Sequence, residues 1–174
     1  IPAHPDQAAP AKAVAKTYQC QEAYGLVWVS LGQPSKDVPI FDEWADASFR
    51  KVPSGPYPVA ASGPRIIENF LDVAHFPFVH GGYLGVKERP EISDYEAEIT
   101  PEGVVARNVR VYQPNGYGDG QPAEVAYTYK AIRPLTAYLR KESPKQPLSI
   151  IVFVTPHDLV DSTAFMIMAE NYMN

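Results

Sequence analysis

Residues 65–84 read RIIENFLDVAHFPFVHGGYL. Residues 65–79 form the clearest helical candidate in the chain, and what that helix must cover sets the fold. The stretch also holds Asn69, Asp72, His75 and His80 within twelve positions, including two of the chain's four histidines. His75 and His80 are five apart. On an unbroken helix they would point about 140° away from each other and could not share one metal. Pro77 breaks that geometry. It cannot continue the hydrogen-bond ladder and it pushes Phe76 out of helical conformation, which leaves His75 near a helix end and His80 past the break, free to converge.

Downstream of the glycines at 81, 82 and 85 the apolar period changes to two. Residues 93–100 and 104–112 flank the turn Thr100, Pro101, Glu102, Gly103 and predict a hairpin with Val105, Val109 and Val111 on one face. A strand EVAYTYKAI (124–132) follows the loop QPNGYGDGQP, and LSIIVFVTP and STAFMIMAENY read as two more strands around the turn HDLVD. Upstream, YQCQEAYGLVWVSLG (18–32) predicts two strands with a turn near residues 23–25, the second apolar enough for burial on both faces. The proline-rich segment 33–64, with one short helix in FDEWADASF, is expected to wrap over the core. About six or seven strands joined by short turns predict an α+β fold, an antiparallel sheet covered by the 65–79 helix. Residues 1–16, rich in Ala, Pro and polar side chains, read as a connecting arm, with order beginning at residue 17.

The 174 residues are 45% hydrophobic and 20% charged, enough for one domain with its own core. A net charge of −5 without a basic cluster argues against nucleic acid or an anionic membrane surface as partner, and leaves a small molecule. No apolar run approaches the length of a membrane span, and the start IPAHPDQ has no signal-peptide pattern, so a cytoplasmic location is the expectation. The single cysteine, Cys20, cannot form an internal disulfide or supply a structural zinc or iron–sulfur site, and reads as a buried small side chain.

Asp72 and His75, three apart, lie on one side of a helix, so the carboxylate can hydrogen-bond an imidazole nitrogen that is not on a metal. Asn69 extends the polar stripe a further three residues back. Two neutral imidazoles and one carboxylate form the facial arrangement suited to iron(II) with open positions. The competing reading is that His75 is a core histidine held by Asp72. A zinc-hydrolase pair would need a spacing of four and a nearby glutamate base, and neither is present. His157, in the turn TPHDLVD, is expected at the solvent surface, and His4 sits in the arm. The alternating tyrosines read as sheet packing before a substrate cage, and Trp28 and Trp44 as core.

ENFLDVAHFPFVH resembles the mononuclear-iron motif of Rieske non-heme iron oxygenases: Asn, two residues, Asp, two residues, His, four residues, His. YQCQEAYGLVWVSLG resembles the segment after the Rieske domain in this family. PRIIENFLDVAHFPFVH, YTYKAIRPLTAY and ENY are similar to its vanillate-demethylase-like and pheophorbide-oxygenase-like branches. The resemblance covers nearly the whole chain. It implies a START-like helix-grip fold, an antiparallel sheet curled over a long helix with the substrate cavity between. It also implies His75 and His80 as ligands of a mononuclear Fe(II), Asp72 as the acid linking that iron to the Rieske cluster of a neighbouring subunit, and Asn69 as a residue near the iron.

By the same resemblance, electrons come from NAD(P)H through a reductase or ferredoxin to a 2Fe-2S Rieske cluster, and dioxygen is used to hydroxylate or O-demethylate an aromatic or related apolar substrate. The assembly implied is a homotrimer. With one cysteine the chain does not hold the cluster motifs, so the cluster is expected in a domain outside this sequence, joined through the arm 1–16, and residues 17–174 in the catalytic domain. The family's third iron ligand, an aspartate of a C-terminal helix, is expected beyond residue 174; Glu170 is not assigned that role. The alternative is a START-like module that binds an apolar ligand without redox chemistry, against which the polar set Asn69, Asp72, His75 and His80 argues.

Overall fold

The computed structural model of the protein describes residues 6–8, 10–143 and 146–172; His4 and part of the arm lie outside them. The chain divides into two compact units, Ile1–Val38 and Pro39–Asn174. In the first, β1 (Gln19–Ala23) and β2 (Leu26–Ser30) form an antiparallel hairpin. Its two-residue turn has Tyr24 and Gly25 at φ 61° and 73°, the left-handed pair that matches strand twist. The expected burial of β2 on both faces does not hold. Val27 and Val29 are exposed, as is Cys20, because a two-stranded ribbon leaves one face to solvent.

The second unit is built on one antiparallel sheet of seven strands, ordered β3-β9-β8-β7-β6-β5-β4. These are β3 (Arg50–Val59), β4 (Glu96–Thr100), β5 (Gly103–Gln113), β6 (Ala123–Arg133), β7 (Thr136–Lys141), β8 (Leu148–Pro156) and β9 (Ser162–Glu170). The predicted β4–β5 hairpin is present. Its turn needs glycine at Gly103, where φ is 142° and a Cβ would stand 2.0 Å from the Ala131 carbonyl oxygen. Two strands were not expected. β3 carries three prolines, which the sheet tolerates because β3 is its edge and the missing N–H groups interrupt no inner ladder. The segment 33–64 therefore contributes a strand to the sheet instead of only wrapping it. β7 follows a tight turn over Pro134 and Leu135, with Arg133 paired to Thr136.

The helices are α1 (Asp42–Ala45), α2 (Gly63–Leu71) and α3 (Phe76–Val79). The long 65–79 helix is absent: α2 has nine residues and stops before Asp72, well short of Pro77. α2 packs on one face of the sheet through Ile67, against Ala137, Val152, Val154 and Ala164. A second cluster on this face joins Val73 and Phe76 to Val109, Val111, Val125, Tyr127, Tyr129 and Leu139. Burying a side chain such as Val or Phe contributes about 1.5–3 kcal/mol, so these contacts fix the α2–α3 segment to the sheet.

Strict alternation along β5 would put Val105 with Val109 and Val111. The structure places an irregularity between Ala106 and Val109, with Asn108 at φ 57°, so Ala106 pairs with Tyr129 and Val109 with Tyr127. Val104, Ala106 and Val109 thus share the α2 side, and Val105 turns to the other, as a bulge requires. On that opposite face Phe41 packs edge-on against Tyr138 at 6.2 Å between ring centroids. Trp28 and Trp44, expected in the core, are half-buried.

Candidate metal centre and cavity

Asp72 ends α2. Its N–H still reaches the Glu68 carbonyl at 3.0 Å, but its own backbone is extended, at φ −78° and ψ 131°. The carboxylate then organises the following turn: Oδ1 accepts the Ala74 N–H at 2.8 Å and Oδ2 the His75 N–H at 3.2 Å. This side chain-to-backbone closure offers the chain an alternative to continued helix. Pro77 lies in the first turn of α3, where its missing N–H costs nothing, so it starts a helix instead of breaking one. His75 and His80 flank α3 as its N-cap and C-cap residues.

The two rings converge. Their centroids are 5.2 Å apart at 63° between planes. Imidazoles sharing one ion at a metal–nitrogen distance near 2.1 Å, with a ligand angle of 90–110°, would have centroids about 4.6–5.3 Å apart. His75 Nδ1 lies 3.0 Å from Asp72 Oδ2, so an ionised carboxylate accepts a hydrogen bond from Nδ1–H and leaves Nε2 free to ligate a metal. Partial burial raises the Asp72 carboxyl, but hydrogen bonds from Ala74 and from the His75 ring and N–H outweigh it and hold the acid below the usual aspartate value. His80 is exposed, and its backbone is pinned: its N–H meets the Phe76 carbonyl, and its carbonyl receives the N–H groups of Tyr83 and Leu84. Gly85 packs against Pro77, where a Cβ would meet three atoms at 3.0 Å.

Asn69 stands apart. It is exposed on α2, and its side chain makes no hydrogen bond among the described residues. No group of three or more His, Cys, Asp or Glu side chains able to hold a metal is present among the described residues. The donor set therefore fits two histidine ligands and a supporting acid. His157 is exposed, as expected, and its Nε2 lies 2.7 Å from Thr163 Oγ1.

Asp72 also lines a cavity of about 630 Å³ between α2 and the sheet. Its walls are largely apolar: Ile67, Leu71 and Val73 on one side, and Val104, Ala106, Val109 and Ala131 on the other. Tyr129 belongs to this wall, where sheet packing was the expected role for such tyrosines. Its hydroxyl is buried without a hydrogen-bond partner among the described residues. An unmatched buried hydroxyl costs about 1–3 kcal/mol. The available sequence signal was the small residues Ala106 and Ala131 on the apolar face beside Tyr129, which leave space that larger side chains would fill.

A charged cluster occupies the opposite face of the sheet. Buried Glu43 accepts the Tyr138 hydroxyl at 2.7 Å and the Ser149 hydroxyl at 2.6 Å, with Arg140 Nη1 at 3.8 Å.

An antiparallel sheet with few helices, here with a short helix over an apolar cavity, is the fold of the Rieske oxygenase catalytic domain. Residues 59–174 match the vanillate O-demethylase oxygenase C-terminal domain, and the chain belongs to that family, the catalytic-domain segment of Rieske-type oxygenases. A probable methylxanthine N7-demethylase, NdmC, of Pseudomonas sp. strain TJI-51 is 42% identical over 151 residues, covering 83% of this chain and 54% of its own length. The structure of NdmA with caffeine, from Pseudomonas putida CBB5, superposes with a TM-score of 0.80 at 25% identity, covering 99% of this chain and 51% of that one. Dicamba monooxygenase bound to 3,6-dichlorosalicylic acid shares the fold, with a TM-score of 0.79 at 17% identity over 97% of this chain and 55% of that chain. The chain spans about half the length of the relatives it matches over most of its own length. Among the described residues no helix is long and apolar enough to cross a membrane.

Proposed function

We propose that this chain is the catalytic segment of an oxygenase that demethylates a planar aromatic or heteroaromatic substrate carrying an N-methyl or O-methyl group. The observation that carries the reading is the pair His75 and His80, 5.2 Å apart and oriented by Asp72, beside an apolar cavity that Asp72 also lines. His75 and His80 would hold a mononuclear iron(II), with a third ligand, an aspartate, that the family resemblance implies. When bound, the iron supplies the activation of dioxygen with which a substrate methyl group is oxidised.

The chain's own residues do the rest. Asp72 fixes the His75 ring and its tautomer, and it would link the two-histidine site to a 2Fe-2S Rieske cluster held by a neighbouring subunit. Asn69 lies near the iron in the assembled protein. The cavity walls exclude water and hold the ring of the substrate. The fold is the START-like helix grip, with residues 1–16 as the arm from the cluster domain and 17–174 as catalytic domain. The complete enzyme is a cytoplasmic homotrimer that receives electrons from NAD(P)H through a reductase or ferredoxin. The methyl-bearing substrate class is carried from the methylxanthine demethylase relative and from the family.

The test is formaldehyde release by the complete oxygenase with its reductase, NAD(P)H and either vanillate or caffeine, together with its iron content. Formaldehyde from either compound, lost in His75→Ala and His80→Ala proteins, is the expected result. A complete protein that binds no iron, or iron retained in both variants, overturns the reading in favour of an apolar-ligand module.

A further inference from the structure

One residue of the cavity wall carries a buried polar group without a partner among the described residues. Tyr129 is only 3% exposed, and its hydroxyl has no hydrogen-bond partner among the described residues. Buried hydroxyls are nearly always paired, so an orphan on a cavity wall marks a place where something else supplies the acceptor. The surrounding wall cannot. Cross-strand from Tyr129 stand Ala106 and Leu139, and the nearest lining residues of β5 and β6 are Val104, Val109 and Ala131.

Tyr127, its neighbour on the same face, shows the contrast. The Tyr127 hydroxyl lies 2.9 Å from Gln113 Nε2, from which it receives a hydrogen bond, while the two rings are 5.8 Å apart. The strand residues that line the cavity beside Tyr129 are all apolar, and the polar side chains of the lining are Glu68, Asp72 and Tyr95. Asp72 lines the same cavity and acts electrostatically on the Tyr129 phenol. Its carboxylate is already engaged by the Ala74 N–H, the His75 N–H and the His75 ring. Burial raises the Tyr129 phenol far above its ordinary value, reinforced by Tyr127 and Asp72, so the group stays protonated and serves as a donor.

We propose that the Tyr129 hydroxyl donates a hydrogen bond to an acceptor atom of the bound aromatic substrate, a carbonyl oxygen or an unprotonated ring nitrogen, and thereby selects acceptor-bearing rings and orients them in the cavity. The assignment rests on the reading of the cavity as an aromatic substrate site. It makes Tyr129 a specificity-determining residue: a substrate lacking the acceptor leaves the hydroxyl unpaired, which is a stronger basis for discrimination than fit to the apolar walls.

The experiment is a calorimetric titration of the complete oxygenase and its Tyr129→Phe variant with caffeine, with vanillate, and with 1-methylindole as a planar ring without such an acceptor. Expected is a roughly 3- to 10-fold weaker binding of caffeine or vanillate by the variant, with 1-methylindole unchanged. The variant should melt no lower than the parent, because its missing hydroxyl had no partner within the protein. If the parent binds neither caffeine nor vanillate, the aromatic-site reading fails. If it binds one of them and Tyr129→Phe binds it equally tightly, or if the variant melts lower than the parent, the site reading stands and the role given to Tyr129 is overturned.

Discussion

The Asp72 carboxylate lies 3.0 Å from the Nδ1 atom of His75, and the same two oxygens close the turn that delivers His75 to α3. One side chain thus sets both the backbone and the ring of a candidate ligand. Asp72→Asn keeps the Oδ1 acceptor for the Ala74 N–H but loses the charge. It should leave folding stability within about 0.5 kcal/mol and iron bound, while turnover coupled to NAD(P)H oxidation falls 100-fold or more, about the upper end of what a supporting group contributes. Asp72→Ala also opens the turn and should cost about 1 kcal/mol in a denaturant titration. Full turnover in the Asn variant would remove Asp72 from the electron route.

The centre should also respond to the loop behind it. Gly85→Ala pushes a Cβ against Pro77, so the 81–85 loop must shift away from α3 and take the His80 carbonyl contacts with it. Overpacking of this kind costs about 1–3 kcal/mol. Metal analysis of the complete protein should show reduced iron occupancy with the rest of the fold intact by circular dichroism. Unchanged iron would mean that His80 is not positioned by this loop.

On the other face of the sheet, Glu43 is the acceptor for two buried hydroxyls. Glu43→Ala leaves the two hydroxyls only each other, 3.0 Å apart, and should lower stability by about 1–3 kcal/mol, whereas Glu43→Gln keeps an acceptor oxygen and should cost less than about 1 kcal/mol. Urea unfolding of the two variants separates them; equal, small losses would show that the cluster is open to water.

Burial pushes the Tyr127 phenol up to about 12, against the opposing hydrogen bond from Gln113. Because the folded value lies above the ordinary value of 10.0, the folded state holds the proton more tightly. Its contribution is complete below pH 10 and is lost as the pH rises through about 12. Stability measured across that interval should fall more steeply for the parent than for Tyr127→Phe. Parallel slopes would place the phenol in water.

The β4–β5 hairpin was legible because its turn residues and flanking alternation agree, and Gly103 occupies a position no other residue fits. β3 was not, since its prolines argue locally against a strand and only its place at the sheet edge makes them harmless. The helix end was misread for a related reason: Pro77 is the strong local signal, but the decisive event is the hydrogen bonding of Asp72 to the next turn. The motif residues were legible from their spacing and resemblance, and the structure brings Asp72, His75 and His80 together. Tyr129 was not, because alternation assigns a tyrosine to a face without revealing whether that face is packed or hollow.

Asn108 carries a consequence of its own. With its left-handed backbone it absorbs one surplus residue in β5, and so keeps Arg107 out of the cavity and Ala106 in it. A β-branched residue there, such as in Asn108→Val, disfavours that conformation. Regular alternation back from Val109 would then turn Arg107 and Val105 inward and Ala106 outward. The chemical character of the chamber is thus written in a single backbone torsion, and a lineage could exchange an apolar wall for a cationic one without changing any residue that lines it.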